Sequence, residues 1–230
     1  MWMDSWVLAR PRSLWDRVNL SDGSQHPLAL RVFASQRPCV VLARSNRIET
    51  EVDSAACQRL GIPILRRRGG GGTVVLGPGC QIVTLAFFAR SLFENALLFR
   101  LINGAWIEAM SAALGSSCPA IAQRGISDLA VGDRKVAGTS LFRRKHLVVF
   151  QGSLLVDPDL DLMSQLLLHP SREPDYRSGR THRDFVTSLL ACGVDTTAEA
   201  LCSDVRPHLL RSLTVALDSE FCRERLEDSL

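Results

Sequence analysis

Lysine is nearly missing from this chain. Of its 27 basic residues only Lys135 and Lys145 are lysines, and the rest are arginines. Where arginine does the solvating, a lysine can mark a place that needs a compact charge on a flexible stem instead of a planar fork. By count alone chance explains the scarcity as simply, so the surroundings of the two lysines must decide. Closely spaced cysteines are missing too. None of the seven cysteines forms a C-x-x-C pair, which argues against a disulfide framework or a zinc site, and the histidines have no metal-binding spacing, so no protein-bound metal is expected. A reduced, cytoplasmic protein is the expectation. No unbroken apolar run approaches the roughly 18 residues of a membrane span, and Asp4 interrupts the N-terminal stretch where a signal peptide would be apolar. Neither a membrane nor a leader is expected. A net charge of +3 is too small to indicate a nucleic-acid partner.

What remains is a 230-residue chain, 46% hydrophobic and 22% charged, able to bury a substantial core and expected to form one domain over 1–230. Short apolar runs at Leu28–Ala34 and Pro38–Ala43, separated by Ser-Gln-Arg, read as paired strands. Glu51–Leu60 reads as a helix stopped by Gly61 and Pro63. Ile64-Leu65 and Gln81–Phe88 read as strands, and Ser91–Gly115 as a long amphipathic helix. Asp128–Val131, Arg134–Ser140 and His146–Val156 follow as strands, with turns at Gly132-Asp133 and Phe142–Lys145. Asp159–Leu168, Asp184–Leu190 and Thr197–Leu217 read as helices, and Ser171–Thr181 as a surface loop. Sequential strands and hairpins with helices gathered on them make the class α+β.

Two stretches carry chemistry. The first is RRRGGGGTVVLGPG, Arg66 to Gly79. Consecutive glycines let backbone N–H groups approach an anion closely, and neighbouring arginines can add charge-assisted bonds. The spacing fits neither a P-loop nor a dinucleotide fingerprint, and a tight bulge beside solvated arginines explains it about as well. The second is SDLAVGDRKVAGTSLF, from Ser127. It sets Asp128 on one strand of a hairpin and Lys135 on the next, with Gly138, Thr139 and Ser140 beyond to leave room and hydroxyls. A lysine on a rigid strand can stabilise charge developing on phosphorus or on a carbonyl oxygen. Alone, this hairpin reads more simply as a surface ion pair. A third, polar stretch, Pro174–Leu189, carries Tyr176, Arg177, Arg180 and His182.

Together the two motifs resemble the lipoate–protein ligase A family of the biotin/lipoate ligase superfamily. Its R-R-x-x-G-G-G-x-V loop is matched by Arg67 to Val74, its D-L…G-D-R-K-V-x-G-S/T segment by Asp128-Leu129 and Gly132 to Thr139, and its G-[ST]-L-L strand by Gly152 to Leu155. The likeness runs from about Leu28 to Leu190. It implies a central mixed, mostly antiparallel sheet flanked by helices. It also implies ATP with Mg2+, and lipoate or octanoate as the acyl substrate, activated as acyl-AMP. The acyl group would pass to a lysine of an E2 lipoyl domain or a glycine-cleavage H protein. Lys135 takes the catalytic role, and Arg67, Gly70, Gly71, Gly72, Thr73, Asp128, Gly138, Thr139, Ser140 and Gly152 the binding roles. Leu76, Cys80 and Ser127 depart from the family's histidine and two asparagines, and the family's early acidic helix is hard to find between Leu20 and Leu28. With no accessory C-terminal domain expected either, these departures speak against ATP use or for a separate accessory subunit. Two alternatives stand beside this: an octanoyltransferase using Cys118 as acyl carrier, and a non-catalytic acyl-binding subunit.

Overall fold

The structure, a computed structural model, describes residues 16–19, 25–89 and 94–227. The expectations for the N-terminal stretch, for Leu20–Ser24 and for the first turn of the long helix at Ser91 lie outside those residues. Along the chain the strands are β1 (Asp16–Asn19), β2 (Gln25–Ala34), β3 (Cys39–Leu42), β4 (Ile64–Arg66), β5 (Val74–Leu76), β6 (Cys80–Phe88), β7 (Ile121–Arg124), β8 (Asp128–Val131), β9 (Arg134–Arg144) and β10 (Leu147–Leu155). The helices are α1 (Ile48–Glu51), α2 (Ser54–Arg59), α3 (Asn95–Leu114), α4 (Leu160–Leu166), α5 (His182–Phe185) and α6 (Ala198–Glu227).

Seven strands form one sheet in the order β1-β2-β6-β10-β9-β8-β7, and β4-β3-β5 form a second. Among the described strands every neighbour in the large sheet is antiparallel, while β3 and β4 pair in parallel. The α+β expectation holds. On one face of the large sheet Val83, Leu85, Phe87, Phe150 and Leu154 pack against Leu98, Ile102 and Trp106 of α3 and Leu201, Val205 and Leu209 of α6. Burying each large apolar side chain contributes roughly 1.5–3 kcal/mol. α3, extended through Ser117, is long and apolar enough by length and composition to cross a membrane. Here its buried stripe serves instead as the cover of the sheet. The small sheet and the short helices α1, α2, α4 and α5 gather on the opposite face around Val40, Leu42, Cys57, Ile82, Leu166 and Phe185.

Several local readings change. β2 and β3 do not pair, because they belong to different sheets. β3 is apolar at every position and nearly all buried, a pattern that suits the centre of a covered sheet better than a hairpin arm. The Glu51–Leu60 helix is two turns broken at Val52, which bridges to Leu167, and restarted by Asp53 capping Ala56 N at 2.8 Å. β9 runs through Arg144, so the hairpin turn moves to Lys145-His146, with Lys145 at φ 54°. β7 was not expected; Gly125 at φ 58° folds it onto β8. The Asp184–Leu190 helix is only the single turn α5, after which Val186 bridges to Lys135.

Gly152 sits where β10 meets α3. A Cβ there would lie 2.4 Å from the Trp106 ring, and Trp106 is fully buried. Gly152→Ala overpacks this contact and is expected to lower the unfolding free energy by about 1–3 kcal/mol in urea titration. Ser153→Ala, at the next position of the strand, should change it by less than about 0.5 kcal/mol.

Candidate functional site

Between the two sheets lies a cleft of about 930 Å³. The glycine loop, the β8–β9 hairpin, β10 and the Pro170–Val186 segment line it. Lys135, on β9, reaches the Asp128 carboxylate across the hairpin, Nζ to Oδ1, at 2.7 Å. The other carboxylate oxygen accepts the hydroxyl of Tyr176 at 2.9 Å. The Lys135 backbone is fixed too, since its carbonyl accepts Thr187 N at 2.8 Å beside the Val186 bridge. A Cβ at Gly138 would stand 2.8 Å from Lys135 Nζ. Glycine at 138 therefore lets the ammonium lie back along its own strand, held by Asp128 and still partly exposed to the cleft.

The glycine loop is shaped from within. Arg67, only 5% exposed, donates through Nη2 to the carbonyls of Gly70 at 2.7 Å and Gly72 at 2.6 Å. Its Nη1 donates to Val41 O at 3.3 Å and its Nε to Ser140 Oγ at 3.1 Å. Ser140 in turn donates to Gly70 O. Arg66 Nη1 meets the carbonyls of Ala43, Arg44 and Asn46, and Arg68 lies over the Phe142 ring. Arg66 and Arg67 were expected to be counter-charges for an anion in the loop. Their donors go to backbone carbonyls and, from Arg67 Nε, to the Ser140 hydroxyl, which neutralises lone pairs that would otherwise repel an anion.

The remaining expected residues take distinct places. Gly71 adopts φ 96°, where glycine is favoured, and Gly71 and Gly72 line the cleft; Gly70 is held through its carbonyl. Thr73 Oγ1 accepts Asn46 Nδ2 at 3.2 Å. Thr139 Oγ1 donates to Ser127 O at 2.6 Å, closing the tip of the β7–β8 turn. Gly152 lines the cleft as well as admitting Trp106. The motifs did not point to Glu51 or Gln151, both buried and both lining the cleft. Glu51 accepts the Ser171 amide and hydroxyl. Its signal is a second carboxylate on a short, polar helix, which sequence alone does not distinguish from a solvated turn.

Tyr176, Arg177 and His182 come from the polar stretch after α4. Burial, and then the neighbouring Asp128 charge, push the Tyr176 hydroxyl pKa up, so it stays a donor. Burial lowers the Arg177 pKa. Burial, and then the Arg177 charge, bring His182 down to about 4, so it is neutral at pH 7. The unfolded chain therefore binds this proton more readily than the folded one. His182 contributes stability that is present above about 6.5 and is lost as pH falls from there towards 4. His182→Asn should flatten the pH dependence of the unfolding free energy across that window, relative to the natural chain, in denaturant titrations at stepped pH.

Comparison with known proteins agrees with this geometry. The Lipoyl protein ligase A/B catalytic domain family matches residues 12–210. Lipoate-protein ligase A subunit 1 of Thermoplasma acidophilum is 24% identical over 208 residues, covering 86% of this chain and 76% of that one. The structure of a bi-partite lipoate protein ligase from the same organism superposes with a TM-score of 0.65 at 22% identity, over 87% of this chain and 73% of that one. A lipoate-protein ligase A bound with ATP gives 0.65 at 22% identity, over 83% and 73%. A T. acidophilum protein with bound lipoic acid gives 0.64 at 22%, over 83% and 73%. With a match spanning most of its length and the motif residues gathered on one cleft, the chain belongs to the lipoyl protein ligase A/B catalytic domain family.

Proposed function

We propose that this chain is the catalytic subunit of a lipoate–protein ligase. It activates lipoate or octanoate with ATP and passes the acyl group to a lysine of an E2 lipoyl domain or an H protein. The observation that carries this reading is the Lys135 ammonium, held over Gly138 by Asp128 at the cleft that the glycine loop borders. In the first step a carboxylate oxygen of the acid attacks the α-phosphorus of ATP. The bond to pyrophosphate breaks and acyl-AMP forms. In the second step the acceptor lysine amine attacks the acyl carbonyl, AMP leaves, and the amine gives up a proton. Both steps build negative charge on oxygen, which a fixed cation stabilises; Lys135 supplies the cation while Asp128 and Tyr176 fix its place. Among the described residues no cluster of three or more His, Cys, Asp or Glu could hold a metal, so magnesium would enter with the nucleotide phosphates.

A transferase carrying the acyl group as a thioester needs a thiolate at the cleft. Among the described residues, no cysteine lines it. Cys118 packs against the α3 side of the core, its Sγ 3.5 Å from Pro119 O, and burial raises its pKa. This favours the ligase over the octanoyltransferase. One relative bears the name subunit 1, and the T. acidophilum ligase is described as bi-partite with its E2 lipoyl domain; a separate accessory subunit is proposed here on that ground.

Intact-mass spectrometry of an apo lipoyl domain, incubated with this chain, lipoate and Mg-ATP, with and without an accessory subunit, tests the reading. An ATP-dependent gain of one lipoyl group is expected, falling by about 10²–10³ in rate with Lys135→Ala. Gly138→Ala should cause a comparable fall with little loss of stability, because the added methyl meets the flexible end of Lys135 and not the backbone. Modification only from octanoyl carrier protein without ATP, or none in any mixture, would overturn it.

A further inference from the structure

Beneath the glycine loop, on the cleft side of the large sheet, three polar residues lie side by side on three adjacent strands. Ser140 of β9 pairs with Gln151 of β10, and Gln151 pairs with Thr84 of β6. All three are buried, Gln151 at 6% exposure and Thr84 at 1%. Ser140 is fully used, donating to Gly70 O and accepting from Arg67 Nε. The other two differ. Gln151 Nε2 and Thr84 Oγ1 have no hydrogen-bond partner within the protein, and Gln151 lines the cleft. A buried donor without an acceptor is disfavoured, and native chains rarely keep one without a use.

The position of this row suggests the use. Ser153 and Gly138 form the adjacent same-face row, and the Lys135 ammonium lies against Gly138. Two residues along a strand is about 7 Å, the reach of a medium-length acyl chain whose carboxyl end is at Lys135. The chain end that arrives at Gln151 meets a buried donor with no partner in the protein. A bare methyl end leaves that donor unpaired, whereas an end carrying lone-pair atoms satisfies it. Sulfur is a weak acceptor, but for a buried donor a weak partner is better than none.

We propose that Gln151, with Thr84 beside it, is a specificity-determining residue that reads the far end of the acyl chain. It favours an acid with a lone-pair-bearing terminus, such as the dithiolane of lipoate, over a plain alkyl acid such as octanoate. This rests on the proposed function above, with the acyl group lying beneath the glycine loop. The test is calorimetric titration of the natural chain and Gln151→Met with lipoate and with octanoate, in the presence of a non-hydrolysable ATP analogue. The natural chain should bind lipoate about tenfold more tightly than octanoate. Gln151→Met should bring the two close to equal, by weakening lipoate and strengthening octanoate. If Gln151→Met does not fold, Gln151→Asn, which keeps the amide but withdraws it from the cleft, should narrow the ratio in the same direction. An unchanged ratio in the variant, or a natural preference for octanoate, would overturn the assignment of Gln151. Binding of neither acid by the natural chain would overturn the ligase reading itself.

Discussion

One buried guanidinium holds the cleft together. Arg67 reaches Val41 of the small sheet, Ser140 of the large sheet and the carbonyls of Gly70 and Gly72 in the loop between them. Taking a charge out of water is costly unless the group is hydrogen-bonded all round. Here that cost becomes a constraint, because the loop must fold back so that its carbonyls meet the arginine. Glycine makes the folding possible. A Cβ at Gly69 would fall 2.0 Å from Ser140 Oγ, and Gly71 takes a conformation that side chains rarely adopt. The close approach of this loop to the sheet and the small size of its residues are thus one requirement seen from two sides.

The second fixed point is Lys135. A lysine has a long stem and is ordinarily mobile, yet this one is held at both ends. The bridge to Val186 and the bond from Thr187 secure its backbone, and Asp128 secures its amine. Asp128 is secured in turn by Tyr176, the only tyrosine in the chain. Sites carried on strands, with supporting bonds behind each polar group, keep their geometry better than sites on loops. The segment after α4 therefore does two jobs, closing the cleft and steadying the cation.

Much of this was legible in the residues themselves. The four glycines and the Gly-Asp-Arg-Lys-Val-Ala-Gly hairpin stood out because each motif lies in consecutive positions. β6 and β10 were read nearly to their ends, since continuous apolar runs bounded by turns leave little choice. What escaped were long-range relations. Nothing local says that Arg67 turns inward, that β2 and β3 part into separate sheets, or that Tyr176 bonds to a carboxylate 48 positions earlier. Arg143 and Arg144 read as a turn because charge is common in turns, but strand pairing with β10 carries them on. Gln151 was invisible for a different reason. An amide in a strand is unremarkable until its burial, and the lack of a partner for its nitrogen, are known.

The proposed ligase reaction rests on a cation fixed beside the glycine loop, and it would form an acyl phosphate anhydride before any acceptor protein arrives. Lipoate-dependent exchange of labelled pyrophosphate into ATP isolates that first step. The account predicts exchange that requires lipoate, needs no lipoyl domain and nearly vanishes in Lys135→Ala. Exchange that persists undiminished without Lys135, or that is absent even with the accessory subunit supplied, would contradict it.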